Sequence, residues 1–487
     1  MSAARPPRGS GAGRGAGDAE LLRPFRPMLW LVAAAVFMQM LDTTIVNTAL
    51  PSMAVDLGQS PLRMQSVVVA YALTVAMLIP ASGWLADRFG TRRLFLVAIV
   101  VFTLGSLACA LAQSLDTLVA ARVLQGVGGS MLLPVGRLAV LRSVPRQDFL
   151  AAMTFVTVPG LVGPLIGPSL GGWLVQVASW HWIFLINVPL GVAGAFAAMR
   201  LMPDLRAPVA HFDGVGYALL AFGMIAVSVS VDALAGETPR RGAIVVLLLA
   251  GLMALVAYWL HAARTKAPLF PLALFRVRTY AVGVLGNLFS RLGSGGMPYL
   301  IPLLLQVALG YPPAQAGMMM IPVVLAGMFS KRIVVPLVHR FGYRRVLVVN
   351  TVLTGAGMAS FGFIGPGQPL WLLIVQFACF GAVNSLQFTA MNTLTLRDLG
   401  GEQASAGNSL LSMVMMLAMS LGVATAGGLL AAFSADAGAQ GTAPVLAAFR
   451  WTFVCIGVVT AASAAIFAQI GNTRRIPDQV VETTEQR

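Results

Sequence analysis

Long apolar stretches alternate with short polar segments from residue 28 to residue 470. Each stretch is close to the roughly 20 residues that cross a bilayer, and a span without water must satisfy its backbone internally, so the pattern predicts helices. They fall at 28–50, 66–86, 94–113, 117–141, 150–175, 182–202, 213–234, 242–261, 280–308, 313–337, 345–364, 369–396, 404–433 and 445–470, fourteen in all. An even number of crossings puts both ends of the chain on one side.

Composition supports this reading, since 58% hydrophobic and 10% charged residues, with a mean hydropathy of +0.83, exclude a water-soluble domain of 487 residues. The net charge of +15 would suggest a nucleic-acid surface in a soluble protein. Its placement says otherwise. Of the 32 Lys and Arg, 24 lie on the side of the termini and four (Arg63, Arg240, Arg241, Arg450) on the other, while Arg122, Arg291, Lys331 and Arg332 fall within spans. This asymmetry predicts cytoplasmic termini and a multi-pass protein of the inner (cytoplasmic) membrane, with no nucleic-acid partner. Residues 1–27, rich in Gly, Arg, Ala and Pro, read as a disordered cytoplasmic tail and 471–487 as a second one. Cys109, Cys379 and Cys455 lie in apolar stretches and predict no disulfide.

The segment Asp87-Arg88-Phe89-Gly90-Thr91-Arg92-Arg93 recurs as His339-Arg340-Phe341-Gly342-Tyr343-Arg344-Arg345. The spacing exceeds six spans by about one helical pair. A duplication with an inserted pair explains it, giving bundles at 28–202 and 271–470 around an insertion at 203–270.

Among 17 acidic residues, Asp42 alone sits well inside a span, roughly 20 Å deep at the helical rise. An intramembrane carboxylate marks an ion pathway or proton relay, or else a buried packing acid. Arg122 lies at a depth from which it can pair with Asp42, or snorkel to the outer headgroups. Gly83 and Gly90 flank Asp87 where a helix must end tightly, beside Arg88 and Arg92, and Asp87 can accept hydrogen bonds from a neighbouring helix N-terminus. Gly163, Gly167 and Gly171 recur every fourth residue as a smooth stripe for close packing, while Pro164 and Pro168 bend the span. Trp180 and Trp182 read as interfacial aromatics, and Met413, Met415, Met416 and Met419 as adaptable cleft residues or lipid-facing ones.

These motifs, in this order, resemble those of the fourteen-span drug:proton antiporters of the major facilitator superfamily, including multidrug resistance transporters of enterobacterial type. Leu41 to Pro51 resembles the first-helix motif, Gly83 to Arg93 the loop motif, Arg122 to Gly129 the fourth-helix motif, Gly160 to Gly172 the antiporter motif, and Trp180 to Pro189 the stretch opening the sixth helix. The resemblance covers about residues 28 to 470. It implies an all-α membrane protein with two six-helix bundles plus two inserted helices, and bundles that rock about a central cleft. It further implies proton coupling by Asp42 and Arg122 in that cleft, gating by the loop motif, and a fifth helix that seals the cleft.

The function it implies is proton-coupled efflux of small molecules; an uptake symporter or facilitator, and a non-transporting sensor or scaffold, are the alternatives. No Walker A sequence, nucleophile arrangement or metal-ligand cluster is evident, and histidines at 181, 211, 261 and 339 are scattered, so neither an enzyme nor a cofactor is expected. The expected partners are a small-molecule substrate, protons and lipid; a monomer is expected, and no motif speaks for a periplasmic adaptor. Arg291, about eleven residues into the ninth span, is the candidate cleft cation, with Lys331 and Arg332 expected nearer the cytoplasmic face. With one carboxylate against these cations, the cleft should favour neutral or anionic molecules over permanent cations.

Overall fold

A computed structural model describes residues 23–145, 148–208, 211–234, 241–436 and 442–470. The tails expected at 1–27 and 471–487 fall outside them except for residues 23–27, which open the first helix region. All regular structure among the described residues is helical. The helices are α1 Arg26–Asp56, α2 Gln65–Phe89, α3 Thr91–Ala110, α4 Leu115–Ser143, α5 Phe149–Val177, α6 Trp182–Leu201, α7 Gly214–Leu234 and α8 Arg241–Arg264. Then come α9, from Arg278–Ser294 through Met297–Leu303, α10 at 321–341, α11 at 343–360, α12 Leu370–Arg397, α13 Gly401–Asp436 and α14 Thr442–Ala462.

Twelve described helices are long and apolar enough to cross a membrane. One of them, Pro313–Phe363, turns back at Gly342, where φ is +78°, and the interrupted α9 supplies a further crossing, so fourteen segments traverse the bundle. Gly90, in the first copy of the repeat, has φ +88°, and both glycines adopt a backbone that a side chain would strain. The repeated sequence thus builds the same tight turn twice.

The expected continuous ninth span is the clearest difference. It breaks between Ser294 and Met297 and ends in a π turn at Leu304–Ala308. The cause is close packing on α13: a side chain at Gly296 would meet the Ala426 Cβ at 2.6 Å, and one at Gly295 the Met419 backbone at 3.0 Å. Pro298 and Pro302 also remove helix donors there.

Helices α1 to α6 form one bundle, with α1 on α5 and α4 against α2 and α3. Helices α9 to α14 form the second, with α12 and α14 against α10–α11 and α9 against α13. The bundles meet along α2 with α13, and along α5 with Pro313–Met318, the turn that leads into α10. The inserted α7 packs on α8, α13 and α2. Asp213 fastens its start: the carboxylate accepts from the Gly216 N–H at 2.9 Å and the Leu269 N–H at 3.1 Å, and lies 2.8 Å from His261 Nε2. Burial alone would raise this carboxyl, but the bonds from Gly216, His261 and Leu269 outweigh it and hold Asp213 below the ordinary carboxylate range.

Candidate functional site

Two structures face opposite sides of α1: a buried ionic cluster behind it and a cavity between the bundles in front of it. Asp42 is 0% exposed and Arg122 1%, with Asp42 Oδ2 2.8 Å from Arg122 Nη1. Asp42 Oδ1 accepts from Gln125 Nε2 at 2.8 Å and from Asn187 Nδ2 at 3.3 Å. Arg122 also donates to the Val67 carbonyl at 3.2 Å and to the Gln125 side chain, and its guanidinium lies 4.3 Å from the Tyr71 ring centre. Gln125 in turn donates to Ser106 at 2.8 Å. Five helices, α1, α2, α3, α4 and α6, therefore converge on one charge pair.

A buried pair survives when its remaining hydrogen-bonding capacity is filled, and here side chains and a carbonyl fill much of it. The spacing suggested the pair; Gln125, one turn from Arg122 on α4, and Asn187, on α6, were missed, because an uncharged amide in an apolar run carries no signal of its own.

The cavity, of about 310 Å³, is lined from α1 by Thr44, Asn47 and Thr48, from α5 by Pro164 and Pro168, and from the second bundle by Lys331, Asn384 and Ser385 among others. Thr44, Asn47 and Thr48 lie roughly 120–160° around α1 from Asp42. The ionic pair is consequently behind the cleft wall, where the resemblance had put it in the cleft. Among the described residues, Lys331 is the only charged one lining it. Its place near the middle of α10 differs from the expected position near one face, because α10 continues to residue 341. No carboxylate pairs with it among the described residues. Arg291 is not brought to the cavity: it stacks 4.4 Å from the Phe388 ring centre and donates weakly to Asn287 at 3.4 Å. The cavity methionines are Met320 and Met328, while Met413 packs in the seam between the bundles.

One end of the cavity is sealed. The Gly160, Gly163, Gly167, Gly171 stripe packs α5 onto α1 so closely that a Cβ at Gly163 would stand 2.8 Å from the Leu41 amide nitrogen. On the other face of α5, Gly172 rests on the Pro313 carbonyl and Gly317 on the Pro168 carbonyl. Gln306, in the π turn of α9, donates to the Thr48 carbonyl at 2.9 Å, and Thr48 Oγ1 donates to the Pro168 carbonyl at 3.2 Å. Beyond this plug a separate crevice of about 490 Å³ is lined by Ser52, Asp56, Trp180, His181 and Tyr311 among others. Trp180, expected at the interface, is buried with Nε1 donating to Asp56 at 2.8 Å; Trp182 is exposed.

The loop motif lies at the opposite end of the bundle from this plug. Asp87 pairs with the Arg142 guanidinium at the end of α4, so its partner is a side chain where a helix N-terminus was expected. Arg92 donates to the Met202 carbonyl, the Thr91 hydroxyl to the Pro203 carbonyl at 2.6 Å, and Arg88 lies 5.1 Å from the Trp84 ring centre. A side chain at Gly90 would collide with Asp204, whereas Gly83 has open space around it. These contacts tie the loop to its own bundle.

Two pseudo-repeated helical bundles, sealed together at one end around a cavity and carrying a buried charge pair, describe a membrane transport protein. The chain belongs to the Major Facilitator Superfamily, whose family model matches residues 32–216 and 283–485. The unmatched interval contains most of α7 and all of α8. A relative named "Putative multidrug resistance protein MdtD" from Serratia proteamaculans (strain 568) is 52% identical over 442 residues, covering 91% of this chain and 93% of its own. One of the same name from Cronobacter sakazakii (strain ATCC BAA-894) is 52% identical over 461 residues, covering 95% and 97%. Among solved structures, a POT family transporter in complex with 5-aminolevulinic acid superposes with a TM-score of 0.66 at 17% identity, covering 91% of this chain and 95% of its own. The nucleoside transporter NupG gives 0.62 at 13% identity, covering 90% and 98%. These structural likenesses bear on the fold.

Proposed function

We propose that this protein exports small molecules across the cytoplasmic membrane in exchange for protons, as a multidrug or metabolite antiporter. The supporting observation is the two-sided first helix. Its Asp42 face meets Arg122, Gln125 and Asn187, and its Thr44, Asn47 and Thr48 face lines the cavity between bundles. Protonation of Asp42 releases its hold on Arg122, shifts α1 and reshapes the cavity wall, giving two sites on one rigid element. The relatives' name as multidrug resistance proteins agrees with export.

Orientation follows from the basic loops, which put the Gly90 and Gly342 turns in the cytoplasm and the Gln306 plug on the periplasmic side. The structure then corresponds to the cytoplasm-facing half of an alternating-access cycle. Asp87 with Arg142, and the loop-motif residues Gly83, Arg88, Gly90 and Arg92, act at the cytoplasmic gate by holding the first bundle rigid while it rocks. Lys331 gives the cavity its charge and favours neutral or anionic substrates. The protein acts as a monomer in this reading.

Proteoliposomes with an imposed proton gradient test the proposal. Wild type should move substrate uphill against a compound panel, and Asp42→Asn should retain only gradient-independent exchange. Undiminished uphill transport by Asp42→Asn would place proton coupling elsewhere.

A further inference from the structure

We propose that the inserted helix pair is a strap across the seam between the bundles, and that Asp232 is its proton-sensitive fastening, a titratable site distinct from Asp42. The inference rests on the alternating-access reading above. Leu220, Met224, Ser228 and Asp232 follow at four-residue steps and form one stripe along α7. Leu220 and Met224 join Leu73 of α2 and Leu410 and Met413 of α13 in one apolar cluster. One turn further, Ser228 Oγ lies 3.1 Å from Ser420 Oγ of α13, and beyond it Asp232 Oδ1 accepts from Gln65 Nε2 of α2 at 2.9 Å. A single helix face thus holds one bundle through α2 and the other through α13.

The fastening has polar capacity to spare. Gln65 is buried, its Oε1 has no partner, and its amide occupies the space that a side chain at Gly427 of α13 would take. The hydroxyl of Tyr299, fully buried on α9, also lacks a partner and is close enough to feel the Asp232 charge. Orphaned atoms of this kind are costly unless a second arrangement uses them. Separation of the bundles supplies one, because a Gln65 released from Asp232 is free to turn its Oε1 to a new donor.

Tyr299 is the titratable group facing Asp232 from α9. From α13 come Ser420 and Gly427, from α2 Gln65, and Arg63, just before α2, is turned to Gln59. Helix α8 carries Arg241 at its near end, and His261 and Arg264 at its far end.

Helix α7 packs more extensively on α13 than on α2, so it travels with the second bundle. When the plugged ends of α2 and α13 separate, the bond that must part is Asp232 to Gln65. A carboxylate acceptor makes a bond roughly twice as strong as a neutral one. A proton arriving on Asp232 from the periplasmic side therefore loosens the strap in the half of the cycle in which protons enter.

The test uses full-length protein in nanodiscs, its three cysteines replaced, with spin labels at Gln59→Cys and Pro366→Cys to measure the separation of the two bundles. In wild type, acidification should raise the separated population. Asp232→Asn should raise it about fivefold at mildly basic pH, as loss of a charge-assisted bond requires, and flatten its pH response. Gln65→Leu, which removes the partner, should reproduce the raised population, and Asp42→Asn should keep the Asp232-dependent part of the response. Distance distributions for Asp232→Asn that superimpose on wild type at every pH overturn the strap. A shift in Asp232→Asn without one in Gln65→Leu overturns this bond as the fastening. A single distance in wild type at every pH overturns the alternating-access reading itself.

Discussion

Arg122→Gln separates the two ways in which a buried ion pair can matter. The substitution leaves Asp42, at 0% exposure, with only the Gln125 and Asn187 donors, and removes the bond to the Val67 carbonyl. Stranding one member of a buried pair costs about 3–5 kcal/mol, because the desolvated charge keeps its burial penalty and loses its partner. Removing both charges in Asp42→Asn with Arg122→Gln eliminates that penalty, and two amides of similar shape can bond to each other. The double variant should therefore regain most of the lost stability, even though it carries two changes.

The assay is thermal unfolding followed by tryptophan fluorescence in nanodiscs, paired with gradient-driven transport. Arg122→Gln should unfold well below wild type and the double variant close to it, while both fail to couple protons. Equal destabilisation in the single and double variants would refute the reasoning, since Arg122 would then act through its packing on Tyr71 and not through the Asp42 charge.

The remaining predictions follow from the cavity, the seal and the inserted pair. Lys331→Gln should cut transport of carboxylate substrates about tenfold while Arg291→Gln leaves selectivity unchanged, measured as competition in vesicles, because Lys331 lines the cavity and Arg291 stacks on Phe388. Gly163→Ala should cost about 1–3 kcal/mol, and lower the yield of monodisperse protein, because its Cβ meets backbone of α1, while Gly83→Ala should be tolerated in open space. Asp213, held below the ordinary carboxylate range, stabilises the start of α7 above that range and loses the contribution as pH falls through its depressed value. Hydrogen exchange should show the Gly216 and Leu269 amides losing protection on acidification, and Asp213→Asn should abolish that dependence. A cysteine at Gln59 should react with an impermeant reagent from the periplasm and one at Thr91 should not.

The fourteen crossings were legible because lipid imposes one demand on every span, and an apolar run of sufficient length answers it in the sequence itself. The Asp42 and Arg122 pair was legible for the related reason that charges within apolar runs are few and must find each other. Lys331 was visible as an intramembrane cation, but its role as the charged cavity residue was not: that depends on which way α10 faces and how far it continues, and helix ends are softly encoded. The break in α9 was hidden because its glycines and prolines fit a continuous span until the approach of α13 is known. Asp232, near the end of the seventh apolar run, drew no reading from the sequence. Only the position of α7 against both bundles gives it Gln65 and Tyr299 as neighbours.

Placing the acid behind α1, and not in the cavity, has a mechanistic consequence. An acid inside the cavity would couple by direct competition, with substrate and proton contending for one site and the substrate charge restricted accordingly. An acid on the far face of α1 couples only through movement of that helix, so the cavity lining can vary without disturbing the proton site. If Asp42 couples protons as proposed, the glycine stripe of α5 gains a second purpose: it packs so closely on α1 that a displacement started at Asp42 would be carried into α5 and on to the Pro168 and Gly172 contacts with the second bundle. Coupling and sealing are in this arrangement the work of the same two helices, and a substitution that loosens α1 from α5 should uncouple transport before it abolishes it.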